Sequence, residues 1–512
     1  MVAAPFRSTI TLVAACALVL GPREARAQAD AVPPDAPSDI IGNSVVKIFA
    51  TVRNPDVFKP WTKQAPQEIS GSGMVIEGNR ILTNAHMVLY SSEIQIQGNQ
   101  SGDRISATVE GVAPGIDLAV LKLDDESFFA THAPLKRDAT MPQIKDSVLV
   151  YGYPAGGTSL SITKGIVSRI EYTAYNYYTS GLRVQIDAAI NHGNSGGPAL
   201  VGGKVVGLAF SFLNNAQNIG YIIPTEEIDL MLKAVAAGPY RGKLSMFDSL
   251  QTLENPALRK FLKLDPSVHG IVVSRPDSSD PAYPLRRWDV ITQIGDAPVD
   301  DQGMINLGPD LRVGLAYMIQ KLKATGTAPL KVARDGKIVP IDLPLKTDYP
   351  TVFPVLKGEY PSYFIFGPLA FSTATAQLLG AVDASGKAPM LSGRSSPLMT
   401  RRSDKRAFDG EGIVCVTAPF FPDKLSKGYG DPELKVVKSV NGIEIRNLIH
   451  LVHVLRTSTD KYVIIEFADR HAERLVFPRA DMAAATDAVL TDNGIRNQGS
   501  PDALAEWRAT TP

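Results

Sequence analysis

The sequence predicts a multidomain chain: an all-β first part, built as paired antiparallel barrels or a sandwich, followed by two small α+β modules. Three observations carry this. Short Val- and Ile-rich segments, parted by Gly, Asn and Asp, run from Ile40 to Pro224 with little helix pattern. Beyond Pro239, helix-period and strand-period segments alternate. A block of that second kind then occurs twice. A length of 512 residues fits two to four domains.

The chain opens on Arg7, an apolar run from Ile10 to Leu20, and "GPREARAQAD". That run is too short to span a bilayer, and Ala25-Arg26-Ala27 is a small-x-small site. Residues 1–27 therefore read as a secretory signal peptide cut after Ala27. An uncleaved anchor is disfavoured by the length of the run. "VAAC" at Cys16 fits a lipid-attachment box, but the apolar run continues past it. Residues 28–39 are a flexible, Pro-rich leader. An exported protein, in the periplasm or another extracytoplasmic compartment, is expected. After cleavage Cys415 is the one remaining cysteine, so no internal disulfide is possible. No later apolar run would give the mature chain a stable membrane span. The 52 basic and 52 acidic residues cancel, which argues against a nucleic-acid partner.

The all-β part covers 40–238. Among its segments, "GSGMVIEG", "RILTNA", "LAVLKL" and "KVVGLAF" read as strands. "TEEIDLMLKAVAAG" closes it as a helix, with Thr225 as N-cap and Gly238 as terminator. The first module, 239–347, holds a helix at "ENPALRKFLKL", strands at "GIVVSRP" and "DVITQIGDAPV", a helix at "GLAYMIQKLKATG" and a hairpin turning at Asp335-Gly336. The second, 348–480, echoes it with "GIVCVTAPF", "KVVKSVNGIEIRNLIHLVHVL" and "KYVIIEFADRHAERLVFP". A polar stretch at about 383–411 reads as a mobile insertion, and 481–512 as a tail with one helix near Met482 to Leu490.

The chemistry centres on "AAINHGNSGGPAL", Ala188 to Leu200. Ser195 in a glycine-rich turn is inert unless a base takes its proton and a pocket receives an oxyanion. His86, in "ILTNAHMV", follows an apolar strand, whereas His132 lies in a loop-like context. His192 is too close in the chain to aim at Ser195. Asp117, in "PGIDLAVLKL", precedes an apolar strand, where a buried carboxylate is costly unless paired. The expected order is His86, Asp117, Ser195.

Together "GSGMVIEGNRILTNAHMV", "GIDLAVLKL" and "AAINHGNSGGPAL" resemble the trypsin-like serine proteases of the HtrA/Deg family. The two-module layout, with "PSYFIF" and "KVVKSVNG", is most similar to the plant organelle Deg subgroup. The resemblance implies a trypsin-like double β-barrel protease domain followed by two PDZ-like domains. It implies His86 as general base, Asp117 as its orienting carboxylate and Ser195 as nucleophile. Gly193, Asn194 and Ser195 would form the oxyanion hole, with glycine at 193 letting the backbone turn its N–H inward. Ala189 and Ile190 would line an uncharged S1 pocket, favouring cleavage after Val, Ala, Ile or Leu. The strand Gly207-Leu208-Ala209-Phe210 would pair with substrate backbone. Unfolded or damaged exported proteins are the implied substrates, and a homo-oligomer, a trimer or multiple of trimers, the implied assembly. No phosphate-binding loop is present in the sequence, and no cofactor or metal is expected.

Two other classes compete. A chaperone or scaffold could carry the same domain at rest, with the Gly193 peptide flipped out of the oxyanion hole. A PDZ adaptor leaves the triad unexplained. In the first module the stretch matching a PDZ carboxylate loop is "LSMFDS", Leu244 to Ser249. It lacks the usual glycines, and Asp248 would repel a carboxylate. His132 and His192 read as loop residues and His269 as a turn residue. His450 and His453 sit at i, i+3 on a helix without a third ligand, and Cys415 reads as a buried small hydrophobe.

Overall fold

The computed structural model describes residues 38–154, 157–175, 179–191, 193–210, 220–278, 280–308, 311–322 and 326–509. The predicted signal peptide, Cys16, most of the leader and His192 lie outside the described residues.

A short helix, α1 (Ser38–Asn43), leads into six strands: β1 (Val45–Val52), β2 (Gln67–Ile76), β3 (Arg80–Thr83), β4 (Ser91–Gln97), β5 (Ile105–Ala113) and β6 (Leu118–Leu123). They close into an antiparallel barrel in the order β1-β2-β3-β6-β5-β4. Six more follow: β7 (Ser147–Gly152), β8 (Ser161–Ala174), β9 (Ser180–Ile186), β10 (Pro198–Val201), β11 (Lys204–Phe210) and β12 (Gly220–Pro224). These close as β10-β11-β12-β9-β8-β7. Closure of both sheets decides for barrels over a sandwich.

The continuous apolar runs now have a reason. Successive strand side chains face opposite ways. In β6, Ala119, Leu121 and Leu123 fill the first barrel, while Leu118 and Val120 join a cluster shared by both barrels. In β11, Val206 and Ala209 fill the second barrel, and Val205 and Leu208 enter the shared cluster. Such strands are buried on both faces, so apolar and polar residues need not alternate.

Helix α2 (Thr225–Ala237) ends at Gly238, as expected. Its N-cap is Pro224, however, and Thr225 is the first helical residue with no capping bond. The Glu227 carboxylate, wholly buried on this helix, accepts from the Leu182 N–H at 2.8 Å and from Lys243 Nζ at 2.8 Å. Lys243 belongs to the segment entering the first module, so this ion pair pins the module to the second barrel. There the hairpin Thr327–Arg334 and Lys337–Pro344 turns at Asp335 and Gly336, with φ of 50° and 76°. Those left-handed values fit the turn read from Asp-Gly.

The second module departs from two expectations. The stretch read as a mobile insertion contains helices Ala388–Gly393 and Pro397–Thr400. Their Leu391 and Leu398 are wholly buried with Phe353, Leu378 and Leu434. Its apolar residues are sparse, and these two leucines are used, whereas Met390 and Phe408 stay exposed. The stretch read as a tail forms the one helix expected there, Arg479–Asp492, and a second, Pro501–Trp507, that was not. Met482 and Ala503 enter the module's core, and Trp507 packs 5.1 Å from Phe364. Between these helices the chain pairs with the strand Tyr363–Phe366. The Ile365 N–H donates to Gln498 O at 2.8 Å, and the Ser500 N–H to Tyr363 O at 2.9 Å. The segment is too short and polar to show a strand period, so it reads as tail from sequence.

Candidate active site

The site lies where the two barrels meet. His86 stands on a single 3₁₀ turn, Ala85–Met87, directly after β3. Asp117 closes the 3₁₀ turn Pro114–Ile116 just before β6, with φ of 55°. A left-handed conformation is unusual away from glycine but is tolerated by aspartate. Because β3 and β6 are hydrogen-bonded neighbours, with Thr83 opposite Ala119, the two turns emerge side by side.

That adjacency makes a specific contact. His86 Nδ1 lies 2.7 Å from Asp117 Oδ2, and the His86 main-chain N–H donates to Oδ1 at 2.9 Å. The Asn84 side chain donates to the Asp117 carbonyl at 2.9 Å. The carboxylate is buried while the imidazole keeps one edge open to solvent. Burial pulls the His86 pKa down, and the hydrogen bond and charge of Asp117 more than offset this. The ring therefore sits above the ordinary imidazole value.

Ser195, almost fully buried, comes from the other barrel on the loop into β10. A turn precedes it, closed by Asn194 N–H donating to Asn191 O at 3.0 Å. Gly193, third in that turn, has φ of 98°. A positive φ at this position excludes a type I turn, which requires a negative one, and glycine enters that region without strain. Among the described residues, the N–H groups of Gly193 and Ser195 donate to no protein acceptor. They remain available for an external oxygen. No hydrogen bond joins the His86 and Ser195 side chains among the described residues; such contacts tighten when substrate binds.

Ser72, on β2, ties this loop to the first barrel. Its N–H donates to Ser195 O at 2.9 Å and its hydroxyl to Gly193 O at 2.7 Å. Gly196 follows at φ of 86°, and a Cβ there would collide with Ser72 O. The sequence motif contained Ser72 in "GSGMVIEG", but only the tertiary contact gives it a task.

The predicted substrate-binding residues divide. Ala189 is exposed beside the loop, and Ile190 lies half-buried against Gly220. The edge predicted at Gly207 to Phe210 must be corrected. Gly207 and Leu208 are interior to the sheet, opposite Ala199 and Pro198 on β10 and opposite Pro224 and Ile223 on β12. Ala209 exchanges hydrogen bonds with Gly196 and Gly197. Their backbone is spent inside the barrel and cannot pair with a substrate. Phe210 is the last described residue of the strand, with the Tyr175 ring tilted at 36° to it, 5.5 Å between centroids, and Tyr221 opposite.

The remaining candidates fall elsewhere. His132 stacks on Phe128 at 3.7 Å between ring centroids, and its Nδ1 lies 2.8 Å from Phe128 O. His269 contacts Asp301, His450 accepts from the Arg446 N–H, and His453 pairs with Glu506. Cys415 is wholly buried, which pushes its thiol up to about 12. Asp248 is turned inward: it accepts from the Asp277 N–H at 2.8 Å and from the Tyr283 hydroxyl at 3.0 Å.

Comparison with known proteins places the domains in families. Residues 71–208 match the trypsin-like peptidase domain, and residues 354–502 match the PDZ domain. The second match runs past the expected boundary at 480 and takes in the strand-pairing segment near Gln498. The chain is 36% identical to protease Do-like 4, mitochondrial, of Arabidopsis thaliana, over 84% of this chain and 82% of that one. It is 34% identical to protease Do-like 2, chloroplastic, of the same plant, over 91% and 76%. Among solved structures, the HtrA-type protease AlgW with decapeptide is 24% identical, over 59% of this chain and 95% of that one, with a TM-score of 0.44. The chain belongs to the HtrA/Deg family of trypsin-like serine proteases, with PDZ-type structure following the protease domain, and is a serine endopeptidase.

Proposed function

We propose that the protein cleaves unfolded or damaged exported proteins through a His86–Asp117–Ser195 triad and an acyl-enzyme. The observation that carries this is the pairing of His86 with buried Asp117 beside a Ser195 loop whose Gly193 and Ser195 N–H groups are uncommitted among the described residues. Asp117 holds the proton of the His86 ring on Nδ1, which leaves Nε2 as the base. Ser195 Oγ gives its proton to that nitrogen as it attacks the scissile carbonyl. The developing oxyanion is received by the Gly193 and Ser195 N–H groups. The imidazolium, stabilised by Asp117, returns the proton to the leaving amine. Water then releases the acyl group by the reverse path.

The positive φ of Gly193 supports a competent protease over a scaffold with a flipped peptide. Ile190 against Gly220, with no carboxylate at 189, supports an apolar S1 pocket and cleavage after Val, Ala, Ile or Leu. The location, in an extracytoplasmic or organellar compartment, and the trimeric or multiply trimeric assembly rest on the family resemblance. Among the described residues, no helix is long and apolar enough to cross a membrane.

The test is degradation of casein by the purified protein beside Ser195→Ala. Loss of cleavage in the variant is expected. Equal cleavage by both proteins would defeat the reading.

A further inference from the structure

Ser72 is wholly buried and belongs to neither the triad nor the oxyanion-binding groups. It nevertheless makes four polar contacts at the junction of the barrels. Its N–H donates to Ser195 O at 2.9 Å. Its carbonyl accepts from the Thr83 hydroxyl at 2.8 Å. Its own hydroxyl donates to Gly193 O at 2.7 Å and accepts from the Tyr153 N–H at 2.8 Å.

We propose that Ser72 is a positioning residue for catalysis: its hydroxyl fixes the Gly193–Asn194 peptide, which lies between the two N–H groups that receive the oxyanion, and so sets the spacing of those groups. The inference rests on the triad reading above. A hydroxyl has one proton to give, and here that proton goes to Gly193 O while a lone pair takes the Tyr153 N–H. The rotor is thus set from both sides, one partner on the nucleophile loop and the other just after β7. Together with the Ser72 N–H, it turns the carbonyls of Gly193 and Ser195 back into the barrel junction. Among the described residues, the N–H groups of the same two residues have no protein acceptor.

The fit is close. A Cβ on Gly152 would lie 3.0 Å from Ser72 Oγ and 2.9 Å from Asn194 Cα, so glycine at 152 leaves room for the bridge. Removing the hydroxyl leaves Gly193 O and the Tyr153 N–H buried without this partner. The Gly193 carbonyl would then turn to find another donor and carry the loop with it. Such a shift weakens interactions made only in the transition state, so it lowers kcat and spares KM.

The experiment uses the full chain and a chromogenic peptide with Val before the scissile bond. Wild type, Ser72→Ala, Ser72→Cys, Ser44→Ala and Ser195→Ala are compared. Ser44 is the control: equally buried, its hydroxyl oxygen lies 2.6 Å from Ala133 O and 3.0 Å from Ile40 O, and its one proton goes to these carbonyls and not to the nucleophile loop. Ser72→Ala should lower kcat roughly 10- to 100-fold with KM changed by less than about twofold. Affinity for a peptide boronic acid of the same sequence, which forms a tetrahedral adduct, should fall in parallel. The acid limb of the pH profile should stay in place, because the His86–Asp117 pair is untouched. Ser72→Cys, with a weak donor of similar size, should fall between and supplies the readout if the alanine variant does not fold.

Wild-type kcat in both Ser72 variants, a rise in KM that accounts for the loss, or an equal loss in Ser44→Ala would each overturn the proposal. Cleavage retained by Ser195→Ala would instead overturn the reading of the site.

Discussion

His86 and Asp117 share two hydrogen bonds, one through the ring and one through the main chain: Nδ1 lies 2.7 Å from Oδ2, and the His86 N–H donates to Oδ1 at 2.9 Å. One carboxylate thus fixes both the ring and the turn that carries it. Ring rotation would cost the first bond, and movement of the turn the second.

This pairing sets a pH dependence. Asp117 holds the His86 pKa above the ordinary 6.5, against the pull of burial. The base works only when neutral, so kcat/KM should fall as pH drops through a value above 6.5. The stability linked to the pair has the opposite sense: it is fully present below the unfolded imidazole value of about 6.5 and is lost as pH rises through the folded value. Asp117→Asn should lower kcat by roughly 10⁴-fold and move the acid limb down. A wild-type limb at or below the ordinary imidazole value would contradict the assignment.

Specificity offers a second check. A peptide library should be cut mainly after Val, Ala, Ile or Leu. Because Ala189 is exposed, Ala189→Asp places a solvated carboxylate there at little cost in folding. It should raise kcat/KM for Lys or Arg relative to Val by about tenfold. Dominant cleavage after Lys or Arg by the wild type would rule out the apolar pocket.

The Glu227–Lys243 pair predicts a stability effect. Both side chains are buried, so removing Lys243 alone strands a charge. Lys243→Met should cost about 3–5 kcal/mol, and Glu227→Gln in the same chain should recover much of that. Urea titration followed by tryptophan fluorescence and far-UV circular dichroism reads both variants. Equal stability of Lys243→Met and wild type would show that the pair bears no load at this junction.

The C-terminal segment can be probed by hydrogen exchange. Trp507→Ala removes the ring that packs on Phe364 and Phe366, at a cost of about 2 kcal/mol. The amides of Ile365 and Ser500, which bond across the added strand, should then exchange roughly tenfold faster or more. Unchanged exchange there, with the rest of the module also unchanged, would show that the strand holds without the helix.

Much of the site was legible because its residues lie in motifs with local cause. Asp117 had to be paired, since a carboxylate before "LAVLKL" enters a buried strand. Gly193 needed freedom in φ, and its value of 98° uses it. Ser72 was not legible, because a serine between two glycines in a strand has no local signature of a long-range bond. Gly207 to Ala209 misled for the same reason. An apolar strand near the nucleophile looks the same whether its edge is open or, as here, paired on both sides.

The elements themselves were largely set by short-range pattern: most of the twelve barrel strands, the helix at Thr225 and the hairpin at Asp335-Gly336 follow from periodicity and turn chemistry within a few residues, whereas the short β10, Pro198–Val201, has no such signal. The order of His86, Asp117 and Ser195 was likewise written in the chain. Only the tertiary structure decided that the sheets close as barrels, that residues 383–411 and 481–507 contribute to packed cores, and that Ser72 bridges the halves of the site. Those outcomes depend on contacts between residues up to more than a hundred positions apart. Whether an isolated Leu391, Met482 or Ser72 is buried and paired is settled by what packs against it, not by its neighbours in sequence.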